Sequence, residues 1–310
     1  MKTTLCSLMA GLLLLAGCEF GDFVDGARFK QDFHYTFDVQ PGSRLSVETQ
    51  NGSIEIASWD KNTVEVEGTK FASSKGLLDS ISIDNHGSPD SVALRTVVPP
   101  GFHGNAGASF TIKVPRKITL ERIVSSNATI SVDGIEGEAR LHTSNGAIHT
   151  TMVRGPLEAR TSNSSIEVED QRGDVDAHSS NGHIRVEATG GKLRAETSNS
   201  SIEATLKDPT PSEPVKLDSS NGHIMLALEA SKLPEVKADT NNSSIELRLP
   251  PNAGARLHAS TSNSSITNDF EITLSPGTQS KHRLDGTING GGPDMTLSTS
   301  NGSIKIVKGI

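Results

Sequence analysis

The sequence has very little cysteine and few aromatic residues. Its two cysteines, Cys6 and Cys18, lie within the first eighteen of 310 residues. The rest of the chain can therefore form neither a disulfide framework nor a thiolate metal site. Aromatic residues make up 4% of the chain and hydrophobic residues 34%, with one Trp and one Tyr against 29 Gly. This is lean for a domain with one large core, and it favours a thin, repetitive core.

A long hydrophobic run and an excess of positive charge are also missing. The apolar run from Leu5 to Leu15 is about 11 residues long, whereas a helix needs roughly 20 to span a bilayer. The formal net charge is −8, and the residues after position 17 include 28 basic and 37 acidic side chains. This balance argues against a nucleic-acid-binding protein.

The N-terminus has the features of an export signal. Lys2, the apolar run and small residues precede Cys18, and Leu15-Ala16-Gly17-Cys18 resembles the lipobox of bacterial lipoproteins. The resemblance implies cleavage after residue 17 and acylation of Cys18 on its sulfur and its new amine, so that the membrane becomes a partner through the acyl chains. The alternatives are a plain secretory signal or a cytosolic hydrophobic N-terminus. We expect a signal peptide at 1–17, a lipidated tether at 18–27 and a protein exported to the cell envelope, where Glu19 favours the outer membrane.

Internal repetition dominates the remaining sequence. The motif [Thr/Ser]-Ser-Asn-[Gly/Ser]-x-Ile occurs repeatedly, and most copies match it closely. Successive asparagines are 76, 18, 18, 18, 18, 22, 21, 21 and 38 residues apart. The gap of 38 leaves room for one degenerate copy around Leu274 to Ile288. The repeated asparagines are Asn51, Asn127, Asn145, Asn163, Asn181, Asn199, Asn221, Asn242, Asn263 and Asn301.

Apolar and polar residues alternate on both sides of each asparagine, which predicts two short strands per repeat. No segment shows a helical period. Two all-β architectures fit: a β-solenoid with one coil per repeat, or an antiparallel meander in which Asn-Gly forms a hairpin turn. We favour the solenoid, because Asn163-Ser164 and similar pairs suit a hairpin turn poorly. We expect residues 28–310 to form the repeat domain, with an irregular N-terminal part and cap at 28–117 and a regular solenoid of 18–22-residue Asn-Gly/Ser-x-Ile repeats at 118–310.

The solenoid also explains the invariance of asparagine along the repeats. Stacked side-chain amides hydrogen-bond from coil to coil, and each bond is worth about 1 kcal/mol net. If this ladder is buried, Asn181→Leu should destabilise the protein by about 1–3 kcal/mol. Glu167, Arg185 and Glu203 should share one outward column of alternating charge.

Three further segments add a family resemblance. They are Leu45-Ser-Val-Glu-Thr-Gln-Asn-Gly-Ser-Ile54, Trp59-Asp-Lys-Asn-Thr-Val-Glu-Val66 and Phe110-Thr-Ile-Lys-Val-Pro115. With the Asn-Gly-x-Ile repeats, they resemble the bacterial "putative adhesin" β-strand-repeat family, the domain of unknown function 4097, over about residues 33 to 310. The resemblance implies a solenoid-like fold in an exported or envelope-bound protein, and it supplies no catalytic residue.

We find no candidate catalytic, metal or cofactor site in the sequence. His183 and His223 share one repeat position, and His142 and His178 share another, in each case two coils apart. That separation is about 9–10 Å, too far for one metal ion. The acidic residues are scattered singly among Lys and Arg, which argues against a polysaccharide lyase of the β-helix type.

The two ends of the repeat array differ. We expect Phe29, Phe33, Tyr35, Phe37 and Trp59 to cap the N-terminal end. The Asn301 repeat ends within ten residues of the C-terminus, so we expect it to be the last coil, with Lys305 and Lys308 discouraging edge pairing or a partner docking there.

These observations favour a non-catalytic envelope lipoprotein that presents a solenoid surface for adhesion or for binding an envelope protein or glycan. The alternative is an accessory of envelope-stress signalling held at the membrane. A polysaccharide-active enzyme is the third hypothesis.

Overall fold

The protein is nearly all-β, in agreement with the sequence prediction. Its architecture is taken from a computed structural model that describes residues 29–101, 105–230 and 232–309, without the side chains of 275–279. The N-terminal part comprises β1 (Phe29–Asp38), β2 (Ser43–Thr49), β3 (Ile54–Trp59), β4 (Thr63–Ala72), α1 (Lys75–Ser80), β5 (Ser82–Ser88), β6 (Ser91–Val97) and β7 (Gly107–Pro115).

Pairs of strands then follow, one on each side of a repeated asparagine. The first of these are β8 (Ile118–Ser125), β9 (Ile130–Asp133), β10 (Ala139–Thr143), β11 (Ile148–Thr151), β12 (Leu157–Thr161), β13 (Ile166–Arg172), β14 (Val175–Ser179), β15 (Ile184–Thr189), β16 (Leu193–Thr197) and β17 (Ile202–Lys207). The rest are β18 (Val215–Ser219), β19 (Ile224–Glu229), β20 (Val236–Thr240), β21 (Ile245–Leu249), β22 (Ala255–Thr261), β23 (Ile266–Asn268), β24 (Ile272–Ser280), β25 (Arg283–Ile288), β26 (Asp294–Thr299) and β27 (Ile304–Lys308).

Each repeat forms one coil of a β-solenoid, and we name each coil by its asparagine. The strand before the asparagine joins one sheet, here called sheet B, and the strand after it joins sheet A. Neighbouring coils pair in parallel, so that Ile148 lies beside Ile166, Ile166 beside Ile184 and Ile184 beside Ile202. The solenoid prediction is confirmed. The meander is wrong, because it requires antiparallel pairing between successive strands.

The core is a thin layer between the two sheets. Strands of sheet B such as β14 and β16 alternate buried and outward residues, with a small Ala177 or Ala195 at the centre. The opposing strands bury the repeated isoleucine, as at Ile184 and Ile202. Period-two alternation therefore supplies one buried face to each sheet. The scarcity of aromatic residues is consistent with a core filled by Ile, Val, Leu and Ala.

The N-terminal end is closed by antiparallel strands. β1 pairs with β4, and β5 pairs with β6, outside the first parallel coil. Phe33, Tyr35 and Phe37 on β1 pack against the core, and the Phe33 ring meets Phe110 edge-on at 5.5 Å between centroids. Phe29 is exposed instead. Trp59 lies half-buried at the end of β3, with Lys61 Nζ 4.4 Å from the centre of its ring.

Helix α1 was not predicted from the sequence. Ser74 caps its N-terminus by accepting a hydrogen bond from the Leu77 backbone N–H, and Leu78 is its buried residue. A helix of six residues is shorter than two turns, so it presents no repeating apolar face for a sequence pattern to detect.

The C-terminal end corrects two expectations. The segment Leu274 to Ile288 is not a degenerate coil: it belongs to β24 and β25, which pair antiparallel, and β25 pairs antiparallel with β22. The Asn301 coil is not the last coil of the stack. Its strands β26 and β27 lie between those of the Asn242 coil and those of the Asn263 coil. Lys305 therefore does not lie on a free edge: its Nζ is 3.7 Å from Glu246 Oε2 in the neighbouring coil.

Candidate functional site: the asparagine edge

The structure places the ten repeated asparagines in one column along the turns that join sheet B to sheet A. We call this column, with the residues just before and after each asparagine, the asparagine edge. In the stack, every Nδ2 after the first donates to the Oδ1 of the preceding asparagine, over 2.6–2.9 Å. The order is Asn51, Asn127, Asn145, Asn163, Asn181, Asn199, Asn221, Asn242, Asn301 and Asn263. At the first coil, Asn51 Nδ2 donates to the Ala106 carbonyl over 2.8 Å.

The amide column lies on the surface. Asn51 is half-buried, and the other nine asparagines are exposed. A side-chain amide has two N–H donors and a carbonyl oxygen with two lone pairs. An internal ladder member uses one donor and one lone pair within the ladder. Asn163 Nδ2 and Asn181 Nδ2 also donate to the Ser144 and Ser162 carbonyls over 3.4 and 3.3 Å, so at these coils the second lone pair of each amide oxygen is the main capacity left for a partner. The edge thus combines internal order with outward hydrogen-bonding groups.

A buried hydroxyl column supports the edge from inside. Two residues before each asparagine lies a Thr or Ser that is at most 7% exposed. Ser179 Oγ donates to the Ser164 carbonyl of the previous coil over 3.1 Å and accepts from the Gly182 N–H over 2.8 Å. Thr299 makes the same two contacts, to Ser243 and from Gly302. The hydroxyl therefore satisfies an N–H and a carbonyl of the turn, which are buried or partly buried and would otherwise each lack this hydrogen bond.

The residue after each asparagine alternates between glycine and a larger residue when the coils are followed in stack order. This order gives Gly52, Ala128, Gly146, Ser164, Gly182, Ser200, Gly222, Ser243, Gly302 and Ser264. A Cβ on Gly182 would overlap the Ser164 carbonyl oxygen, and one on Gly302 would overlap that of Ser243. Glycine is thus required wherever the preceding coil turns its carbonyl toward the next Cα. In chain order the alternation breaks once, where Ser264 follows Ser243, and placing Gly302 between them restores it. This break is the signal in the sequence that the Asn301 coil is inserted.

The asparagine edge carries no formal charge at its asparagines or at the positions directly before and after them. The preceding residue is Ser in most coils, with Gln50 and Asn241 as the polar exceptions. With parallel strands spaced about 4.8 Å apart, the nine steps between ten coils give an edge about 43 Å long. The result is a long, neutral, hydrogen-bonding strip.

The two outer sheet faces are charged instead. Glu167, Arg185 and Glu203 share one outward column, as predicted, although Arg185 contacts Glu187 of its own strand at 3.0 Å. On sheet B, Glu196 lies 2.6 Å from Arg194 and 3.5 Å from Lys216. Partial burial opposes ionisation of Glu196, but hydrogen bonds and the charges of these two cations outweigh it and lower its pKa. The Glu196 carboxyl is therefore stabilised in its charged form, whereas a carboxyl that acts as a general acid needs a raised pKa.

The predicted histidine pairs remain two coils apart. Arg160 lies between His142 and His178 in the parallel register. His183 Nδ1 lies 2.8 Å from Ser201 Oγ, and His223 Nδ1 lies 2.9 Å from Ser244 Oγ, so each contacts the next coil. Among the residues that the structure describes, no group of three or more His, Cys, Asp or Glu side chains could hold a metal ion.

A surface depression of about 570 Å³ lies near the N-terminal end, lined in part by Glu48, Asp84 and Arg95. Glu48 contacts Arg122 at 2.6 Å and Arg95 at 3.9 Å, so its charge is compensated by ion pairs. We therefore place the candidate site at the asparagine edge.

The predicted lipid attachment residue, Cys18, lies outside the described residues. Within the described ranges, no helix is both long and apolar enough to cross a membrane.

Comparison with known proteins identifies the family. The family model Toastrack DUF4097 matches residues 38–307. The chain belongs to the Toastrack DUF4097 family. This match covers nearly all of both sheets and the whole asparagine edge, and it agrees with the resemblance found in the repeats. No curated protein matches the sequence.

Two solved structures are similar to this Toastrack chain. One is a "putative cell adhesion protein" from Clostridium sporogenes, with 11% identity, a TM-score of 0.20 and coverage of 90% of this chain and 100% of the other. The second is a "putative adhesin" from Bacteroides fragilis, with 11% identity, a TM-score of 0.27 and coverage of 89% and 97%.

Proposed function

We propose that this protein is a non-catalytic component of the bacterial cell envelope, anchored by lipid on Cys18, whose asparagine edge binds a polar partner. The observation that carries the proposal is the neutral amide strip along ten coils. Its hydrogen-bonding groups repeat once per coil, which offers an extended protein segment or a glycan a row of equivalent contacts. The Clostridium sporogenes and Bacteroides fragilis proteins are described as a cell adhesion protein and an adhesin, and the proposal for this chain rests on its asparagine edge.

The chemistry of the edge favours a partner with uncharged hydrogen-bonding groups. A charged partner would contact the sheet faces, where acidic and basic residues already pair with each other, as Glu158 does with Arg160 at 2.6 Å. Exposed ion pairs of this kind are screened by salt. Binding through the edge should therefore change little with ionic strength.

The direct test is binding of purified protein to isolated envelope fractions, separated into peptidoglycan, outer-membrane glycolipid and membrane proteins. The test variant replaces Asn163, Asn181 and Asn199 with Ala. The matched control replaces Glu167, Arg185 and Glu203 with Ser, three outward residues of sheet A in the same coils. Loss of binding in the asparagine variant alone supports the proposal, provided that circular dichroism shows both variants folded. Equal binding by all three proteins, or loss in the control alone, would contradict it.

The anchoring part of the proposal has a separate test. Cys18→Ala should release the protein from the membrane fraction of lysed cells. Protease treatment of intact cells then separates two locations: digestion without lysis indicates the cell surface, and digestion only after lysis indicates the periplasm. Retention of the Cys18→Ala protein in the membrane fraction after a salt wash would refute lipid anchoring through this residue.

A further inference from the structure

The coil formed by β26 and β27 lies between two coils that come earlier in the chain, those of Asn242 and Asn263. We call it the inserted coil, and we call the space between the Asn242 and Asn263 coils the slot. β26 pairs in parallel with β20 on one side and β22 on the other, and β27 pairs with β21 and β23. Without the inserted coil, four strand edges would lack their parallel partners in the core of the stack.

The contacts on both sides of the slot follow the pattern of the regular coils. Asn301 Nδ2 donates to Asn242 Oδ1 over 2.8 Å, and Asn263 Nδ2 donates to Asn301 Oδ1 over 2.7 Å. In the backbone, Ile245 N–H donates to the Ser303 carbonyl over 2.9 Å, and Ile304 N–H donates to the Ser265 carbonyl over 3.1 Å. The inserted coil therefore binds as any internal coil does, although it is continuous in sequence with neither neighbour.

The slot is selective for a coil with glycine after its asparagine. A Cβ at position 302 would overlap the Ser243 carbonyl oxygen, which also accepts the Thr299 hydroxyl over 2.9 Å. The buried Met295, Leu297, Ile304 and Ile306 complete the core at this level. The slot and the inserted coil are thus complementary in backbone, core and turn.

One short connection ties the inserted coil to the rest of the chain. Residues Asn289 to Pro293 cross over the start of β22, where the backbones of Gly291 and Gly292 approach Gly254. Asn289, Gly290 and Gly291 all have positive φ, which suits a glycine-rich connection. The contacts within the slot do not depend on whether this connection joins the inserted coil to the same molecule or to another.

We propose that the slot is also a binding site for a second copy of this chain, and that two copies exchange their inserted coils to form a dimer. Every contact described for the slot is formed equally well by the inserted coil of the other copy. Exchange of an identical element costs little, because the only structural difference lies in the connection. The exchange is reciprocal, so both slots are filled and the assembly closes as a dimer. This inference does not depend on the proposed function of the asparagine edge.

The first test shortens the connection in the full chain by deleting Gly290, Gly291 and Gly292. Ile288 pairs with Ala255 and Asp294 with Arg256, so the connection must cross two strand spacings, about 9.6 Å, over Gly254. With two residues left, the three Cα–Cα steps from Ile288 to Asp294 reach about 10–11 Å when fully extended, which leaves no length for an arch. The control lengthens the connection by three residues after Gly290, where a side chain would meet open space.

We expect the shortened chain to have twice the monomer mass by light scattering, and the lengthened chain, whose connection arches easily to its own slot, to have the mass of a monomer. A folded, monomeric shortened chain would overturn the proposal. So would a dimer of the shortened chain that dissociates no more readily on dilution when Gly302→Ser is added, because a dimer that is insensitive to a change in the slot must use another interface.

A second measurement uses the unaltered full chain and decides the question if the shortened chain does not fold. The chain is incubated with an excess of a fluorescent peptide of residues 294–309, in urea just below its unfolding midpoint, and is then returned to buffer. The comparison peptide carries Gly302→Ser. Retention of the parent peptide alone on gel filtration supports exchange, whereas equal retention of both peptides or of neither contradicts it.

Discussion

Ser179 and Asn181 belong to neighbouring hydrogen-bonding columns that differ in burial. Ser179 is fully buried and satisfies the Ser164 carbonyl and the Gly182 N–H. Asn181 is exposed and bonds to Asn163 and Asn199. The repeat phrase predicts both columns as invariant positions, but it does not reveal which one is buried. Because the ladder is exposed, the loss of about 1–3 kcal/mol that a buried ladder implies for Asn181→Leu is too large: water can replace the lost partners.

We therefore expect Ser179→Ala to cost more stability than Asn181→Ala. The serine variant leaves the buried Gly182 N–H and the partly buried Ser164 carbonyl each short of a hydrogen bond, a loss of about 2 kcal/mol. The asparagine variant should lose about 1 kcal/mol or less. Urea unfolding followed by circular dichroism measures both midpoints. A larger loss for Asn181→Ala would contradict the assignment of the hydroxyls as the buried support.

Gly182 and Ser200 test the alternation along the edge. They occupy the same position in adjacent coils, but a Cβ on Gly182 would overlap the Ser164 carbonyl oxygen. Gly182→Ala should destabilise the protein by about 1–3 kcal/mol, since the backbone has to shift to admit the methyl group. Ser200→Ala is the matched control and should change stability by less than about 0.5 kcal/mol. Similar losses in the two variants, measured by thermal unfolding, would show that the alternation has no steric origin.

At the scale of elements, parallel pairing and inward-facing positions were predictable because one short phrase repeats with nearly constant spacing. A fixed register then places equal residues side by side, as with Ile166 and Ile184. The helix α1 and the antiparallel pair β24–β25 were not predictable, since each occurs once and lies outside the repeat. Their positions depend on packing at the ends of the stack, which a local pattern does not encode.

We expect the stability of the stack to fall in acid at the end where β22, β25 and β26 meet. Asp285 on β25 lies 2.6 Å from Arg283 and 3.0 Å from His258 of β22. Burial raises the pKa of Asp285, but the hydrogen bonds and charges of Arg283 and His258 outweigh burial, and the net effect is a lowered pKa. A carboxyl with a lowered folded pKa stabilises the protein above its ordinary pKa of about 3.9, and that contribution is lost as the pH falls through the folded value.

The expected result is a difference in stability between the parent protein and Asp285→Asn that narrows as the medium is acidified. The parent should be the more stable protein at about pH 6, and its advantage should shrink below about pH 4. Urea midpoints across this range provide the measurement. Parallel curves for the two proteins would mean that ionised Asp285 contributes no pH-dependent stability.

At the scale of the whole molecule, the order of coils along the stack differs from their order along the chain. Sequence spacing alone places the Asn263 coil after the Asn242 coil and the Asn301 coil last. The correct order is the one in which Gly302 lies between Ser243 and Ser264, because glycine and larger residues then alternate along the stack. This can be inferred from the sequence only if one knows that a side chain at position 302 would overlap the carbonyl oxygen of the preceding turn. The inserted coil completes the asparagine ladder between Asn242 and Asn263 and fills the slot, so both features depend on this order of coils.

Disulfide trapping tests this order most directly, in full chains whose two native cysteines are replaced. Glu246 pairs with Lys305 in the parallel register, and Lys305 pairs with Thr267. Adjacent strands lie about 4.8 Å apart, within the range for a disulfide, whereas strands two positions apart lie about 9.6 Å apart and beyond it. We expect the double variant Glu246→Cys, Lys305→Cys to form a disulfide under mild oxidation. The double variant Glu246→Cys, Thr267→Cys should form none. A disulfide in the second pair and none in the first would show that the coils stack in chain order and would contradict the inserted coil.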